Sequence, residues 1–415
     1  MAATTTSLPT PEPGRAAAEA FVGEHLAGLF CDDPSGSERF RGGQAAADAA
    51  LHAYDVSGYA KRRSEVLPES RRGASALSPY IRHGLLPLRR VWDHVAGGPA
   101  RDVRKFHDEL LWQEFSRHWY ARLGTRSRQG VRRELAIGRD APMDEPLEGW
   151  DRSMACMDAT VGELVSDGWL VNQTRMWLSA DWSVRNGWRW QDGEDAFFRH
   201  LLDGSRAANR LGWQWTTGVG SSKHYGMSRW QVEKRAPGLC GTCDRRDDCP
   251  IQDWPDDPEF HPVERPDAVR SGTGLVGPST TPEVDAGSVD AVWLTAESLG
   301  FDDPALAAHP DAPAVFVFDR PLLERLQLSG KRLVFLVETL AEVNADRTLE
   351  VHLAEVPAAL EGRRVAVTHA PVPGFARHIE HVDPAAVYPW SWLAAPGSGS
   401  VSSFSAWRKA HRAPS

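Results

Sequence analysis

No apolar run in the chain approaches the roughly 20 residues that a membrane-crossing helix needs. The opening Met-Ala-Ala-Thr-Thr-Thr has neither the basic start nor the apolar stretch of a secretory signal. No membrane partner is expected, and the expected compartment is cytoplasmic. Cysteine is scarce: five in 415 residues, too few and too unevenly placed for a disulfide scaffold. No segment recurs at a fixed period, which excludes repeat architectures. Net positive charge is lacking as well, at −9 overall, which taken alone argues against a nucleic-acid partner.

What is present is enough apolar residue, 41%, to bury a substantial core, and enough length for two domains. Residues 1–14 are small, polar and Pro-containing and read as a disordered leader. From 15 to 262 apolar residues recur at three and four, as in Leu110, Leu111, Phe115 and Trp119, and predict helices. Residues 263–287 are rich in Pro, Gly, Ser and Thr and read as a linker. Over 288–412, short apolar runs such as Ala314-Val-Phe-Val-Phe318 alternate with helical stretches. That alternation predicts a parallel α/β domain. The expected fold is therefore multidomain α and α/β, an all-helical domain followed by a smaller, Rossmann-like one.

Charge is uneven beneath the average. Between Lys61 and Glu134 there are 17 basic and 8 acidic residues, a face suited to phosphates or, more plainly, an Arg-rich solvated surface. The acidic remainder predicts that any DNA binding is weak and salt-sensitive.

The segment Leu201-Leu-Asp-Gly-Ser-Arg-Ala-Ala-Asn-Arg-Leu-Gly-Trp-Gln-Trp215 joins small residues to Asp203, Asn209 and a Trp pair. Small residues permit close approach, the polar pair offers hydrogen bonds, and the indoles supply polarisable rings, so it reads as a cofactor wall or as a turn beside an aromatic core. Three further stretches accompany it: Gly73-Ala-Ser-Ala-Leu-Ser-Pro-Tyr80, Glu109-Leu-Leu-Trp-Gln-Glu-Phe-Ser-Arg-His118 and Gly168-Trp-Leu-Val-Asn-Gln-Thr-Arg-Met176. In this order the four resemble the flavin-binding signature of the photolyase and cryptochrome family, over roughly residues 40 to 260.

The resemblance implies an FAD-binding helical domain. Tyr59 and the loop Gly73, Ala74, Ser75, Ala76 and Leu77 would hold phosphates. Trp112 and Asn172 would line the pocket, and Arg175 would pair with Asp203. Asn209 would face the reactive ring nitrogen, and Ser205 stands where the family has a second acidic residue. Glu114 and Met176 match positions beside the lesion, whereas Gln173 stands where lesion-splitting relatives often have Arg. Trp213 and Trp190 match the inner members of the family's tryptophan chain, with no Trp between Trp119 and Trp150 for the exposed one. His83, His118 and His224 are equal candidates for a proton donor. The later α/β segment resembles the family's antenna-type domain, in permuted order. Its loop Thr295-Ala-Glu-Ser-Leu299 lacks the usual arginine-rich start, which counts against an antenna pigment.

Cys240, Cys243 and Cys249 form C-x2-C-x5-C, and Cys156 is the obvious fourth ligand. Structural zinc and a 4Fe-4S cluster both suit four thiolates, and the layout resembles the iron-sulfur bacterial subgroup of the family. Cys31 reads as a buried or free thiol. The function implied is a light-dependent DNA lyase that splits pyrimidine dimers by electron transfer from reduced FAD. The alternatives are a cryptochrome-like photoreceptor or redox flavoprotein that signals to a protein partner without repair, and a flavin-storage or structural relic.

Overall fold

The computed structural model describes residues 5–411 apart from 137, 279 and 286; residues 1–4 of the expected leader and residue 412 lie outside them. The chain opens with strand β1 (Thr6–Leu8) and helix α1 (Arg15–His25) and then enters a helical region. There α2 (Gln44–Ala53), α3 (Tyr59–Arg62), α4 (Ser78–Arg82), α5 (Leu88–Val95) and the long α6 (Ala100–Leu123) precede strand β2 (Arg133–Leu135). Next come α7 (Ala155–Asp167), α8 (Asn172–Ser179), α9 (Trp190–His200), α10 (Arg206–Thr217) and α11 (Arg229–Arg235). Strand β3 (Phe260–Pro262) pairs antiparallel with β2, inside the helical region. Helix α7 stops where Gly168 adopts φ +66°, and a side chain there would meet Lys331 and Leu202.

Among the described residues, the six strands of the remainder and β1 form a seven-stranded sheet. Its parallel centre consists of β5 (Ala291–Leu294), β6 (Ala314–Asp319), β7 (Leu349–Ala354), β8 (Val365–Thr368) and β9 (Ala386–Tyr388), reached after β4 (Glu283–Val284). Strand β5 is wholly buried and β6 buries all but its last residue, as strands covered on both faces should. Between the strands lie α12 (Pro304–Ala308), α13 (Arg320–Leu326), α14 (Gly330–Asp346), α15 (Val356–Leu360) and α16 (Pro373–Val382), with α17 (Phe404–Ala410) near the end.

Two expectations need correction. Residues 5–14 are not a free leader, because β1 adds antiparallel to β7 and closes one edge of the sheet. The expected linker is not free either: β4 pairs with β9 on the opposite edge, and Val269 is buried and accepts a hydrogen bond from Val401. Both segments cover strand edges that would otherwise present unpaired backbone, a role that local composition does not announce.

Helix α14 joins the parts. It is buried nearly all round. Its buried polar residues have distant partners. Arg15 Nε donates to Glu338 Oε1 at 2.7 Å, and Arg332 donates to the carbonyls of Phe198 and Gly204 at 2.5 and 2.8 Å. One hydrophobic core accordingly runs from Phe21 and Phe318 through Phe335 to Tyr80, Phe106 and Phe115, across both regions. A second surrounds Trp150, Trp177, Trp182 and Trp213.

Candidate functional site

The four stretches singled out in the sequence converge on one cavity of about 1220 Å³, larger than the usual small-molecule pocket. Helix α8 brings Asn172, Arg175 and Met176; the loop after α9 brings Asp203 and Ser205; α10 brings Ala207, Ala208, Asn209 and Trp213. The turn before α4 adds Ala74, Ser75 and Ala76, and Tyr59 and Trp112 complete the set. Ala76 holds φ +56°, a left-handed conformation rare for a residue with a Cβ. Ser75 does not cap α4; its Oγ accepts only a long 3.4 Å contact from Leu77 N.

Several polar atoms on this wall have no protein partner. Arg175 Nη2 donates to Asp203 Oδ2 at 2.7 Å, which leaves the buried Asp203 Oδ1 unsatisfied. Asn209 Nδ2 and Trp213 Nε1 are likewise buried and unpaired. Buried polar groups are normally paired, and leaving one unpaired costs about 1–3 kcal/mol. A polar ligand in the cavity relieves that cost: Asn209 Nδ2 and Trp213 Nε1 offer donors and Asp203 Oδ1 an acceptor, a mixed set that fits a heteroaromatic ring carrying both kinds of group.

The loop is held by hydrogen bonds from the end of α4, which is itself bonded to the segment after β5. Arg82 Nε donates to Gly204 O at 2.9 Å and Arg82 Nη2 pairs with Glu297 at the same distance. His83 bridges Leu202 O and Ala296 O, at 3.1 and 2.7 Å. Trp169 Nε1 donates to Ser78 Oγ at 2.9 Å, tying the start of α8 to α4.

Other expected residues are not at the cavity. Gly73 packs against Arg62, where a Cβ would sit 2.9 Å from the neighbouring Cβ, and Leu77 is core. Trp190 is buried with Nε1 donating to Glu134 at 3.0 Å; Gly193, one turn on, lets the Trp213 indole lie against α9. Gln173 donates to Tyr225 OH instead of facing the cavity. His83, His118 and His224 border it nowhere; His118 accepts from Trp407 Nε1, and His224 pairs with Asp257.

Glu114 requires the largest correction. It is fully buried, accepts a hydrogen bond from Ala394 N at 3.0 Å and lies outside the cavity. The carboxylate on the cavity side of α6 is Glu109, paired with Lys105 at 2.6 Å and Arg63 at 3.6 Å. Its signal was available: Glu109 is three residues before Trp112 and shares its helix face.

The C-terminal segment crosses this face. Phe404 stacks on Trp112 with centroids 4.1 Å apart and planes at 11°, and Trp390, Val401 and Ser403 also line the cavity. At its other end the cavity reaches the carboxyl ends of β5 and β6, at Thr295 and Asp319.

The cysteines gather beside the second core. Cys156 on α7 is buried, Cys240 and Cys249 pack against the same cluster, and Cys243 Sγ accepts from Ala155 N at 3.3 Å. Burial first, then the charge of Cys240, pushes the Cys156 thiol up to about 12. A single zinc ion would hold four thiolates roughly 3.8 Å apart. Among the described residues, no three of these sulfurs come within 4.8 Å of one another.

The helical region thus offers a cavity large enough for a dinucleotide, with unpaired polar atoms on its wall. Residues 106–234 match the family described as the FAD binding domain of DNA photolyase. A deoxyribodipyrimidine photo-lyase of Thermus thermophilus is 34% identical over 186 residues, 43% of this chain and 43% of its own. That of Alkalihalophilus pseudofirmus is 32% identical over 162 residues, 36% of this chain and 32% of its own. A cryptochrome DASH of Gloeobacter violaceus is 26% identical over 251 residues, 55% and 47% respectively. The chain thus spans less than half the length of these curated relatives. Among solved structures, a bacterial class III photolyase from Agrobacterium tumefaciens aligns with 49% of this chain and 44% of its own, at 22% identity and TM-score 0.40. The sequence matches make residues 106–234 similar to the FAD binding domain of DNA photolyase. No helix among the described residues is long and apolar enough to cross a membrane.

Proposed function

We propose that this chain is a photolyase-type flavoprotein that binds FAD in the helical cavity and splits pyrimidine dimers in DNA in the light. The observation that carries the reading is the wall of Asp203 Oδ1 and Asn209 Nδ2, buried and unpaired on the segment that matches the family. When bound, reduced FAD would supply one electron under illumination to a dimer that splits and returns it. Arg175 holds Asp203 in place, Asn209 would offer its amide to a bound ring, and Trp112 would offer a ring face to a base extruded from the duplex. Glu109 supplies the carboxyl beside it. Arg63, Arg117, Arg132 and Arg265 also line the cavity and suit a phosphate backbone, with salt-sensitive affinity.

Cys156, Cys240, Cys243 and Cys249 hold a 4Fe-4S cluster in this reading, which rests on four thiols in one region and on the resemblance of their layout to the iron-sulfur subgroup; structural zinc is the alternative for the same ligands. The flavin domain precedes the antenna-type domain, a permuted order. A second reading, a photoreceptor or redox flavoprotein without repair, is favoured by Phe404, which occupies the Trp112 face that a lesion would use.

The test is anaerobic purification, absorption and metal analysis, then illumination with a dimer-containing oligonucleotide. Bound flavin with iron and light-dependent loss of dimers is the expected result. Flavin without dimer loss favours the second reading, and protein that takes up no flavin overturns both.

A further inference from the structure

Cys31, expected to stand alone, does not. Its Sγ, a carboxylate oxygen of Asp32 and an imidazole nitrogen of His200 all lie within 4.8 Å of one another. We infer that these three side chains form a binding site for a zinc-type divalent cation, separate from the four-cysteine cluster and from the cavity.

The first argument is His200. It is 3% exposed, and neither Nδ1 nor Nε2 has a hydrogen-bond partner. A buried imidazole with both nitrogens unpaired is unusual, because each forfeited bond is costly. Its Nδ1 lies 3.7 Å from Asp32 Oδ2, too long for a hydrogen bond. It is close to the roughly 3.3–3.6 Å that separates two ligand atoms on one tetrahedral ion.

The second argument is that the backbone holds the donors in place. Cys31 N donates to Leu328 O at 3.2 Å, Ser329 N to Arg199 O at 3.0 Å, and Gly330 N to Asp32 Oδ1 at 2.5 Å. The segment after α1, the end of α9 and the start of α14 therefore meet at a fixed corner.

The donor set chooses the ion. One thiolate, one imidazole and one carboxylate suit zinc and its borderline-soft neighbours and disfavour magnesium and calcium, which take oxygen. Three protein ligands leave a fourth position for water. The local charges are mixed. Lys331 Nζ stands 3.3 Å from the same Asp32 oxygen, and Arg199 pairs with Glu145 at 3.8 Å beside Cys31. The Lys331 ammonium is thus the competitor an incoming cation displaces, and it limits affinity. The site has a consequence for the cavity, because His200 directly precedes the loop that delivers Asp203 and Ser205. An ion there would anchor the root of that loop to α14 and to the N-terminal segment.

The experiment uses the full chain, treated with a mild chelator, re-equilibrated with zinc, desalted and assayed for zinc per chain, with zinc-edge X-ray absorption to count sulfur ligands. The wild type is expected to hold one zinc more than Cys31→Ser and than His200→Ala, with one sulfur and otherwise nitrogen and oxygen around that ion. Lys331→Met is expected to tighten zinc binding severalfold by removing the competing charge. Cys31→Ser changes a single atom and keeps the comparison valid should His200→Ala fail to fold. Equal zinc in the wild type and Cys31→Ser, or zinc bound by sulfur alone, overturns the assignment. Neither result depends on whether the protein binds flavin.

Discussion

Asp303 shows how much one buried carboxyl can govern. Its Oδ1 accepts from Ala305 N, Leu306 N and Thr368 Oγ1, at 3.0, 3.1 and 2.9 Å, and caps α12. Burial outweighs these donors and raises its pKa from 3.8 to about 6. Below about pH 4 the group is protonated in both folded and unfolded chains. Between there and pH 6 the folded chain keeps a proton that the unfolded chain has released, so stability falls as pH rises; above that the contribution is constant. The loss amounts to at most about 3 kcal/mol. Asp303→Asn keeps an accepting oxygen and removes the titration. Denaturant unfolding at a series of pH values should show the wild type losing stability between pH 4 and 6.5 relative to the variant. Parallel curves would mean that the carboxyl does not titrate in this range. At the same scale, Glu109 and Glu114 were distinguishable only in part from sequence. Helical phase sets Glu109 beside Trp112, but that Glu114 lies beneath Ala394 depends on a chain crossing 280 residues away.

Among the elements, those that carry the cavity were legible because local chemistry and final position agree. The segment from 201 to 215 combines a break, small residues and an amphipathic turn of helix, and it lines the cavity much as its composition implies. The segments that cover other elements were not legible. Residues 390–411 have no pattern that says where they dock, since the complement of Phe404 is the face of Trp112 on a helix nearly 300 positions earlier. The same holds for β1 and β4, whose pairing is specified by the edges of β7 and β9 rather than by their own few residues. The docked segment makes its own prediction. Stacked aromatic pairs contribute about 0.5–1.5 kcal/mol beyond area burial, so Phe404→Ala should loosen the cover by that amount. Binding of a dimer-containing oligonucleotide at fixed low salt should tighten about three- to tenfold, read by fluorescence anisotropy. Unchanged or weaker binding would show that Phe404 does not compete with the substrate for Trp112.

At the scale of the whole molecule, the expected division into a leader, a helical domain, a linker and an α/β domain describes the order of secondary structure better than it describes packing. The described residues start on the edge of the sheet, lay α1 along α14, build the helical region, return to complete the sheet and reach α6 with α17. Arg15 with Glu338, Arg332 with Gly204 O, and His83 with Ala296 O are polar ties between regions that one core also joins. Separate domains joined by a flexible linker unfold in separate steps, whereas a shared core couples them. Heating should therefore give one calorimetric transition, with the loss of helical circular dichroism and the release of any bound flavin coincident with it. Deleting residues 1–14 tests the coupling from its far end. Without β1 the β7 edge is open, so the single transition should move to lower temperature and light scattering should rise near the midpoint as exposed edges pair between molecules. If instead the α/β region alone melted early while flavin stayed bound, the core would be two cores in contact.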